Sequence, residues 1–463
     1  MKLDTGTSEA LPFDRPSVTT ALPGPASAPL LERQEQRESN ARTYPRKLPI
    51  AIKRGAGSYV EDLDGNVFID FLTGAGTLAL GHNHPEVVEA VEAQLRRYCH
   101  GLDFPTEIKD EFVSLHLSLL PAEMQGRTKI QFCGPAGANA VDAALKLCKT
   151  ATGRGDVVAF QGAFHGSTHS AMSVTGSVAQ KEPVANRMPG VHFFPFPYEY
   201  RWPEHLHPES CGAQCLHVLE SVLKDPLGGI PTPAAVIMEV VQAEGGVVPA
   251  SVDFVQGVRR VTRELDIPLI VDEIQSGCGR TGTWFAFEQY GIVPDVILAS
   301  KALGGIGMPI AAIFYDERLD TWAPGAHTGT FRGNQLAFAA GVVAARIIQQ
   351  DGFLERVNEL GDYALGRLEE LRAAHPQVGD VRGRALLIGL ELVDPETGEP
   401  DGATAARVQR RALEQGLIIE LGGRQDAVVR LLPPLNVSRE TLDDALQILE
   451  RAIGETSCDR SDR

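Results

Sequence analysis

From about residue 85 onward, short apolar segments alternate with segments of helical periodicity. Two of them, IPLIVDE and DVILASK, are too short for core helices and are typical of strands buried on both faces. Strands that alternate with helices predict a mainly parallel sheet flanked by helices. In such sheets ligands bind at the carboxyl ends of the strands. Asp272 ends the first strand and Lys301 follows the second, so we expect both side chains at that edge.

The same pattern predicts the other main elements. We expect strands in TKIQFCG, DVVAFQGAFHG and AAVIMEVV, and helices in HPEVVEAVEAQLRRY, GANAVDAALKLCKTATG and NQLAFAAGVVAARIIQQ. After about residue 335 the strands ALLIGLELV and AVVRLLPPL indicate a smaller α+β part. Near the N-terminus, GSYVEDLDGNVFIDFLTG has Asp64 and Gly65 between two short strands, which is typical of a β-hairpin.

Four regions follow from these patterns. Residues 1–30 are rich in Pro, Ser, Thr and Ala and are expected to be a flexible leader. Residues 31–84 are expected to join the small domain and to contain a short helix that ends before Pro45. Residues 85–335 form the predicted large domain, and residues 336–463 form the C-terminal small domain.

Composition limits the class of protein. The 463 residues include 60 acidic and 43 basic side chains, a formal net charge of -17. That balance argues against nucleic acid or an anionic membrane as a partner. No stretch approaches the length of a membrane span, and the N-terminus lacks a secretory apolar region. The seven cysteines are odd in number and scattered, which predicts a reducing cytoplasm without a disulfide framework.

Two features are ambiguous alone and informative together. Lys301 is either a lysine that extends to solvent at a strand end or a desolvated amine that forms a Schiff base. The glycine-rich turn in FCGPAGANAVDAALKL is either an ordinary strand-to-helix turn or an anion-binding turn. An anion cup, a Schiff-base lysine and an acid facing a ring nitrogen are the set that pyridoxal 5'-phosphate requires. The pattern therefore predicts that cofactor.

Two other classes of protein fit the sequence less well. A nucleotide-binding oxidoreductase would need a G-x-G-x-x-G turn after an early strand, and none is present. An interaction module could be built on a loop whose residue types suit zinc, but whose spacing matches no zinc finger. We expect no metal site there. The loop contains His205, His207, Cys211, Cys215 and His217.

The segment LIVDEIQSGCGRTG, followed by PDVILASKALGGIGMPIAA, resembles the signature of class III aminotransferases of pyridoxal-phosphate fold type I. The segments QFCGPAGANAVDAALKL, AFHGSTHSAMSVTG, EVVQAEGGVVPA and PGAHTGTFRGNQLA also resemble that class, in its order, and the resemblance covers about residues 40–455. Within the class, ESNARTYPR, FCGPAGANAVDAALKL and GAHTGTFRGNQLA are most similar to the branch that exchanges amino groups between 2,4-diaminobutyrate and 2-oxoglutarate. The resemblance thus implies terminal-amine transfer between small molecules, aspartate 4-semialdehyde and glutamate being the products. Another diamine or ω-amino acid as substrate, or an aminomutase reaction, stays open.

The resemblance implies roles at the cofactor ring. Lys301 would form the Schiff base with the aldehyde and later move a proton. Asp272 would pair with the pyridine nitrogen and keep it protonated. Gln275 would hydrogen-bond the 3-oxygen of the ring. Phe164 would stack on the ring, with His165 beside it.

The resemblance also implies phosphate contacts. Gly137 and Ala138 would lie in the turn that holds the phosphate. Thr330 would reach the phosphate site of a neighbouring subunit, which would make the enzyme a homodimer or a higher homo-oligomer.

The resemblance also implies that two residues, Arg430 and Glu244, govern the choice of substrate. Arg430 would hold the α-carboxylate of glutamate or 2-oxoglutarate, and Glu244 would cover Arg430 when a terminal amine enters. Without the resemblance, the pair would be a strand salt bridge and a solvated loop acid. Glu239 is expected to be structural rather than catalytic. The segment EVVQAEGG departs from the commoner E-P-[IV]-Q-G-E-G pattern, and Ser167 stands where the ornithine and γ-aminobutyrate branches carry an arginine, which disfavours those two substrates.

Overall fold

The computed structural model describes residues 13–461, and within that range the secondary structure is as follows. The helices are α1 (Ala28–Arg37), α2 (Tyr44–Lys47), α3 (Thr73–Gly76), α4 (Pro85–Arg97), α5 (Glu107–Ser118), α6 (Gly137–Thr152), α7 (His169–Val174), α8 (Val178–Lys181), α9 (Cys211–Lys224), α10 (Val252–Glu264), α11 (Gln335–Ile348), α12 (Phe353–Ala374), α13 (Gly402–Glu414) and α14 (Arg439–Ser461). The strands are β1 (Ile52–Ala56), β2 (Tyr59–Asp62), β3 (Val67–Asp70), β4 (Thr128–Phe132), β5 (Val157–Phe160), β6 (Val191–Phe194), β7 (Ala235–Met238), β8 (Val241–Gln242), β9 (Val248–Pro249), β10 (Leu269–Asp272), β11 (Val296–Ala299), β12 (Ala312–Asp316), β13 (Val378–Arg384), β14 (Leu387–Leu392), β15 (Leu417–Ile418), β16 (Glu420–Gly422) and β17 (Val428–Leu431).

The largest sheet has seven strands in the order β4-β12-β11-β10-β7-β5-β6. Strand β12 runs antiparallel to both neighbours, and the remaining pairs are parallel. Strands β5, β7, β10 and β11 are buried along their whole length, which explains their unbroken apolar sequences. The predicted α/β fold with a mainly parallel sheet flanked by helices is confirmed.

Two smaller sheets complete the framework. Strands β13, β14, β17 and β16 form an antiparallel sheet in the C-terminal part. Strands β1, β2 and β3 form an antiparallel sheet near the N-terminus, with the predicted hairpin between β2 and β3. Strand β15 adds to β3 in parallel. The N-terminal segment and the C-terminal part are therefore joined by one sheet.

The segment before β1 differs from the sequence expectation. Residues 1–12 of the predicted flexible leader lie outside the described residues. Residues 13–30 pack on the protein instead, because Ser17 bridges to Val67 and the hydroxyl of Ser27 donates to Asp64 at 2.5 Å. The predicted short helix begins earlier, at Ala28, and the next helix, α2, contains Pro45. Proline is tolerated there because a first helical turn needs no amide donor from it.

Two sequence expectations concern what the fold does not contain. Within residues 13–461, no helix is both long enough and apolar enough to cross a membrane. Among the side chains that the structure describes, those of residues 13–456, no three of His, Cys, Asp or Glu are arranged to hold a metal ion. In the His/Cys segment, Cys211 and Cys215 are buried on α9, whereas His207 is exposed beside Glu209.

Candidate active site

The parallel pairing of β10 with β11 brings Asp272 and Lys301 to the same edge of the sheet, as the sequence predicts. Both line a cavity of about 150 Å³ at that edge. Of the predicted site residues, the cavity is lined by Gly137, Ala138, Phe164, His165, Glu244, Asp272, Gln275 and Lys301. Arg430 lies directly behind this wall, because its guanidinium contacts both Gln275 and Glu244. Segments far apart in sequence thus converge on one cavity.

Lys301 is held in an unusual state for a lysine. It begins the short turn after β11 with a φ of 46°, a left-handed backbone conformation that is strained for a side chain of this size. Burial lowers the pKa of its ammonium, while the carboxylates of Glu244, Glu420 and Asp272 oppose that shift. No acceptor within residues 13–461 forms a hydrogen bond with its Nζ atom. A desolvated amine of this kind is prepared to act as a nucleophile.

Asp272 and His165 form a buried pair. The Nδ1 atom of His165 lies 2.7 Å from Oδ2 of Asp272, and both side chains are almost fully buried. The other carboxylate oxygen accepts from the amide of Ile274 at 3.0 Å. The two contacts hold the carboxylate in one orientation. A fixed anion at this strand end suits a partner that carries a proton on a ring nitrogen.

Glu239, expected to be structural, also lines the cavity. Its carboxylate accepts hydrogen bonds from the amides of Phe164 at 2.9 Å and Ala243 at 3.1 Å. Burial raises the pKa of Glu239 to about 7, although the nearby charge of His165 opposes the shift. Glu239 therefore ties together two segments of the cavity wall, and its charge changes near neutral pH.

In Glu239→Gln, the free energy of unfolding is expected to decrease less with rising pH than it does in the wild type. The raised folded pKa means that the fold prefers the protonated acid, so stability is full below about pH 4.3, where the unfolded acid is also protonated. It then declines as the pH rises toward about 7, by at most about 4 kcal/mol, and levels off above that. Urea unfolding at several pH values, with the cofactor concentration held constant, measures this. A parallel decline in both proteins would show that Glu239 does not titrate in this window.

The turn before α6 is where the sequence predicts an anion site. Gly137 begins the helix, so the free amides of its first turn face the cavity wall that Gly137 and Ala138 form. A Cβ atom at Gly137 would lie 3.0 Å from the side chain of Ile274. At Gly166, where φ is 120°, a Cβ atom would come within 2.6 Å of Ala138. Larger residues would therefore close the turn against its neighbours.

Arg430 is completely buried and contacts two acids. Its Nη2 atom lies 2.8 Å from Oε1 of Glu244 and 2.7 Å from Oε2 of Glu420. Its Nη1 atom donates to Oε1 of Gln275 at 3.1 Å, and the amide nitrogen of Gln275 donates to the carbonyl of Ala75 at 2.9 Å. The alternative in which Arg430 is a surface salt bridge does not hold, because its side chain has no exposed area.

Glu244 lies in the turn between β8 and β9. These strands form a two-stranded hairpin, which defines the geometry of the EVVQAEGG segment. The amide of Gly423 donates to the Glu244 carbonyl at 2.9 Å, and Arg382 donates to the carbonyl of Gly246 at 2.6 Å. The side chain of Glu244 keeps 30% of its surface exposed. The backbone of this turn is thus anchored, while part of the acid side chain reaches solvent.

Thr330 is not part of the cavity of its own chain. It lies exposed on a short helical turn, where its carbonyl accepts a hydrogen bond from Nε2 of His100 at 2.5 Å.

Glu420 and Tyr44 also belong to this cluster, although the sequence patterns did not predict it. The hydroxyl of Tyr44 donates to Oε1 of Glu420 at 2.9 Å. A signal was present, because GLIIELGG contains one acid in an apolar run, and a buried acid usually has a partner. Its partner, Arg430, lies across the turn that joins β16 and β17, in direct register.

The residues of the cavity suit pyridoxal 5'-phosphate. Lys301 supplies a desolvated amine, Asp272 a fixed anion, and the start of α6 a set of backbone amides. A donor set of this kind, at the carboxyl edge of a mainly parallel sheet, defines an enzyme of pyridoxal-phosphate fold type I.

Comparison with known proteins gives the family. The model of the class III aminotransferase family matches residues 40–453. The chain is 50% identical to the diaminobutyrate–2-oxoglutarate aminotransferase of Rhizobium meliloti (strain 1021), over 91% of this chain and 92% of that protein. It is 42% identical to the enzyme of the same name from Haemophilus influenzae, over 91% and 94%. An aminotransferase structure from Bacillus anthracis superposes with a TM-score of 0.83 and 26% identity, covering 92% of this chain and 98% of that one. The chain belongs to the class III aminotransferases, and the predicted cofactor is confirmed by that membership.

Proposed function

We propose that this aminotransferase exchanges the terminal amino group of L-2,4-diaminobutyrate with 2-oxoglutarate, giving aspartate 4-semialdehyde and glutamate, in either direction. The names of its relatives at 50% and 42% identity carry the proposal, since the alignments cover nearly the whole of both proteins. The buried Arg430 covered by a partly exposed acid supports it, because the two substrates present different groups to one cavity.

The residues of the cavity divide the work. Bound pyridoxal phosphate supplies an aldehyde and an electron-withdrawing ring that stabilises negative charge on the substrate carbon. Lys301 would hold the aldehyde and then carry a proton to and from that carbon. Asp272, fixed by His165, would keep the ring nitrogen protonated. The amides at the start of α6, with Gly137, would hold the phosphate.

Arg430 and Glu244 would sort the two substrates. When glutamate or 2-oxoglutarate enters, Glu244 would move aside and Arg430 would bind the carboxylate through two parallel donors. When the diamino acid enters, Glu244 would stay on Arg430 and remove that carboxylate site. The diamino acid would then present its terminal amine to Lys301 and the cofactor.

We further propose a homodimer in which Thr330 contacts the phosphate in the site of the partner subunit. Thr330→Ala should weaken cofactor binding by about 1–2 kcal/mol, the scale of a hydrogen bond to a charged group. Thr328→Ala, in the same exposed segment, is the matched control. Equilibrium dialysis against pyridoxal phosphate measures both.

Mixed dimers test whether the contact crosses subunits. If it does, pairing a Lys301→Ala chain with a Thr330→Ala chain gives one site with both defects and one intact site. Cofactor affinity at half of the sites should then match the wild type. Unchanged affinity in Thr330→Ala itself would remove Thr330 from the phosphate site.

A panel of amino donors tests the substrate. With 2-oxoglutarate, L-2,4-diaminobutyrate should give glutamate faster than ornithine, γ-aminobutyrate or a simple diamine. Glutamate formed mainly from another donor would support another ω-aminotransferase, and conversion of a donor without 2-oxoglutarate would support an aminomutase.

We propose that the enzyme works in the cytoplasm. Six cysteines form no disulfide, the state that a reducing compartment maintains: Cys99, Cys133, Cys148, Cys211, Cys215 and Cys278.

A further inference from the structure

Glu420 is held on Arg430 by the sheet itself. Strands β16 and β17 are antiparallel, and Glu420 stands directly opposite Arg430 in their register. Directly opposed residues in such a pair have their side chains on the same face, a few ångströms apart. The side chain of Glu420 is 11% exposed and that of Arg430 is 0% exposed. Glu420 thus stays beside Arg430 whatever Glu244 does.

The two acids converge on one atom and differ in freedom. Oε1 of Glu244 and Oε2 of Glu420 both contact Nη2 of Arg430, at 2.8 Å and 2.7 Å. Glu244 is on a turn and 30% exposed, whereas Glu420 is on a strand. The hydroxyl of Tyr44 fixes the second oxygen of Glu420 at 2.9 Å. When Glu244 covers Arg430, an acid held on a strand and an acid on a partly exposed turn therefore face one guanidinium.

Acidic side chains outnumber basic ones in this cluster, because two carboxyl groups share one guanidinium. Within residues 13–461, Arg430 is the base that pairs with Glu420, and it is shared with Glu244. The Oε2 atom of Glu420 is fully buried and receives no well-directed hydrogen bond from the described residues, although Arg430 lies close by. A buried carboxylate oxygen without a proper donor is costly unless a ligand supplies one. The surplus also acts on Lys301 in the cavity, which shows that the cluster and the reactive amine share one electrostatic environment.

An ammonium group is the ligand that this surplus would attract. It carries three donors and a compact positive charge, and it can lie between two carboxylates. A diamino acid whose terminal amine is at Lys301 still has an α-ammonium to place. An ω-amino acid with one amine has none. In a buried setting, where charges are weakly screened, this difference has a large effect on binding.

We propose that Glu420, together with Glu244, binds the second ammonium group of the amino donor and so selects diamino acids over amino acids with a single amine. The inference rests on the proposed function and deepens it. It assigns Glu420 a role in specificity and Tyr44 the role of positioning Glu420. A purely structural Glu420 would only neutralise Arg430, and its loss would then affect all substrates alike.

Matched pairs of donors separate these roles. Each pair consists of a diamino acid and the same chain without its α-amine: diaminobutyrate with 4-aminobutyrate, ornithine with 5-aminopentanoate, and lysine with 6-aminohexanoate. The measured quantity is the ratio of kcat/KM within each pair, in wild type and in Glu420→Gln. The amide keeps the size of the side chain and an oxygen for Arg430 while it removes the charge. The ratio should fall by about 10- to 100-fold, as expected for a lost hydrogen bond to a charged group.

Binding gives a second readout that does not depend on turnover. In a Lys301→Ala background, calorimetry compares the dissociation constants of diaminobutyrate and 4-aminobutyrate, with and without Glu420→Gln. Tyr44→Phe removes the positioning hydroxyl alone and should lower the same ratio less. Glu61→Gln is the matched control. It removes another buried acid, paired with Lys53 and Arg54 outside the cavity, and should leave the ratio unchanged.

The outcomes distinguish this inference from the proposed function. Turnover of diaminobutyrate by the wild type tests the proposed function and does not test the role of Glu420. If another diamino acid is the better donor, the ratio within its own pair still decides the role of Glu420. A wild-type protein that does not prefer the diamino member of any pair overturns the inference. An unchanged ratio in Glu420→Gln also overturns it, whether measured by turnover or by binding.

Discussion

Lys301→Ala is expected to lower turnover by about 10⁴-fold or more while the protein still folds. The amine at this position is the group that would both hold the cofactor and move the proton, so no other side chain of the cavity replaces it. Folding should survive because Nζ makes no hydrogen bond with the described residues, and removing a desolvated charge relieves its burial cost. Steady-state glutamate formation and the thermal midpoint of the holoenzyme measure the two effects.

Two controls test the reason for this loss. Lys301→Arg keeps a positive charge but cannot form the covalent link, and it should be as inactive as the alanine variant. Borohydride reduction of the wild-type holoenzyme, followed by digestion, should leave the cofactor on the peptide that contains Lys301. Label on a different lysine, or substantial activity in either variant, would contradict the assignment.

Arg430→Ala should impair the glutamate and 2-oxoglutarate half-reaction by roughly 2–4 kcal/mol of transition-state stabilisation, the scale of a lost two-donor contact with a carboxylate. The diamino acid half-reaction should lose much less, because Arg430 is covered by Glu244 in that half. Stopped-flow absorbance of the cofactor follows each half separately. Comparing the two halves within one variant removes any common effect of lowered stability.

Arg430→Ala is also expected to lower the stability of the folded protein. Removing Arg430 leaves Glu244 and Glu420 without their base, and an unpaired buried charge costs about 3–5 kcal/mol. The double variant Arg430→Ala/Glu420→Gln should recover stability without recovering the glutamate half. Arg259→Ala is the matched control, since it breaks a buried pair with Asp295 away from the cavity and should affect both halves equally.

Glu244→Ala tests the other side of the switch. The glutamate half should continue, because Arg430 stays in place. The diamino acid could then place its α-carboxylate on Arg430 and react through its α-amine, so a 2-oxo acid should appear beside aspartate 4-semialdehyde. Equal losses in both halves for both variants would show that the pair is structural.

Much of the architecture could be predicted because it depends on local patterns. Unbroken apolar runs between helical segments predicted the strands β5, β7, β10 and β11, and the structure has them in one parallel group. The positions of Asp272 and Lys301 followed from this topology, since parallel strands end at a common edge. The leader was less predictable. Its composition resembles that of flexible segments, yet Ser17 and Ser27 find partners on the second hairpin strand and its turn.

The sequence by itself determined the fold class, the family and the edge of the sheet where the cavity lies, because these depend on periodicity and on motifs that are contiguous in the chain. Only the tertiary structure decided which charges meet. Asp272 and His165 are 107 residues apart, and Arg430 and Glu244 are 186 apart. It also showed that Glu420 shares Arg430 with Glu244, because the register of two short strands places them on one face. Burial determines the raised pKa of Glu239 and the lowered pKa of Lys301, and burial is a property of packing among distant segments rather than of any residue's neighbours in sequence.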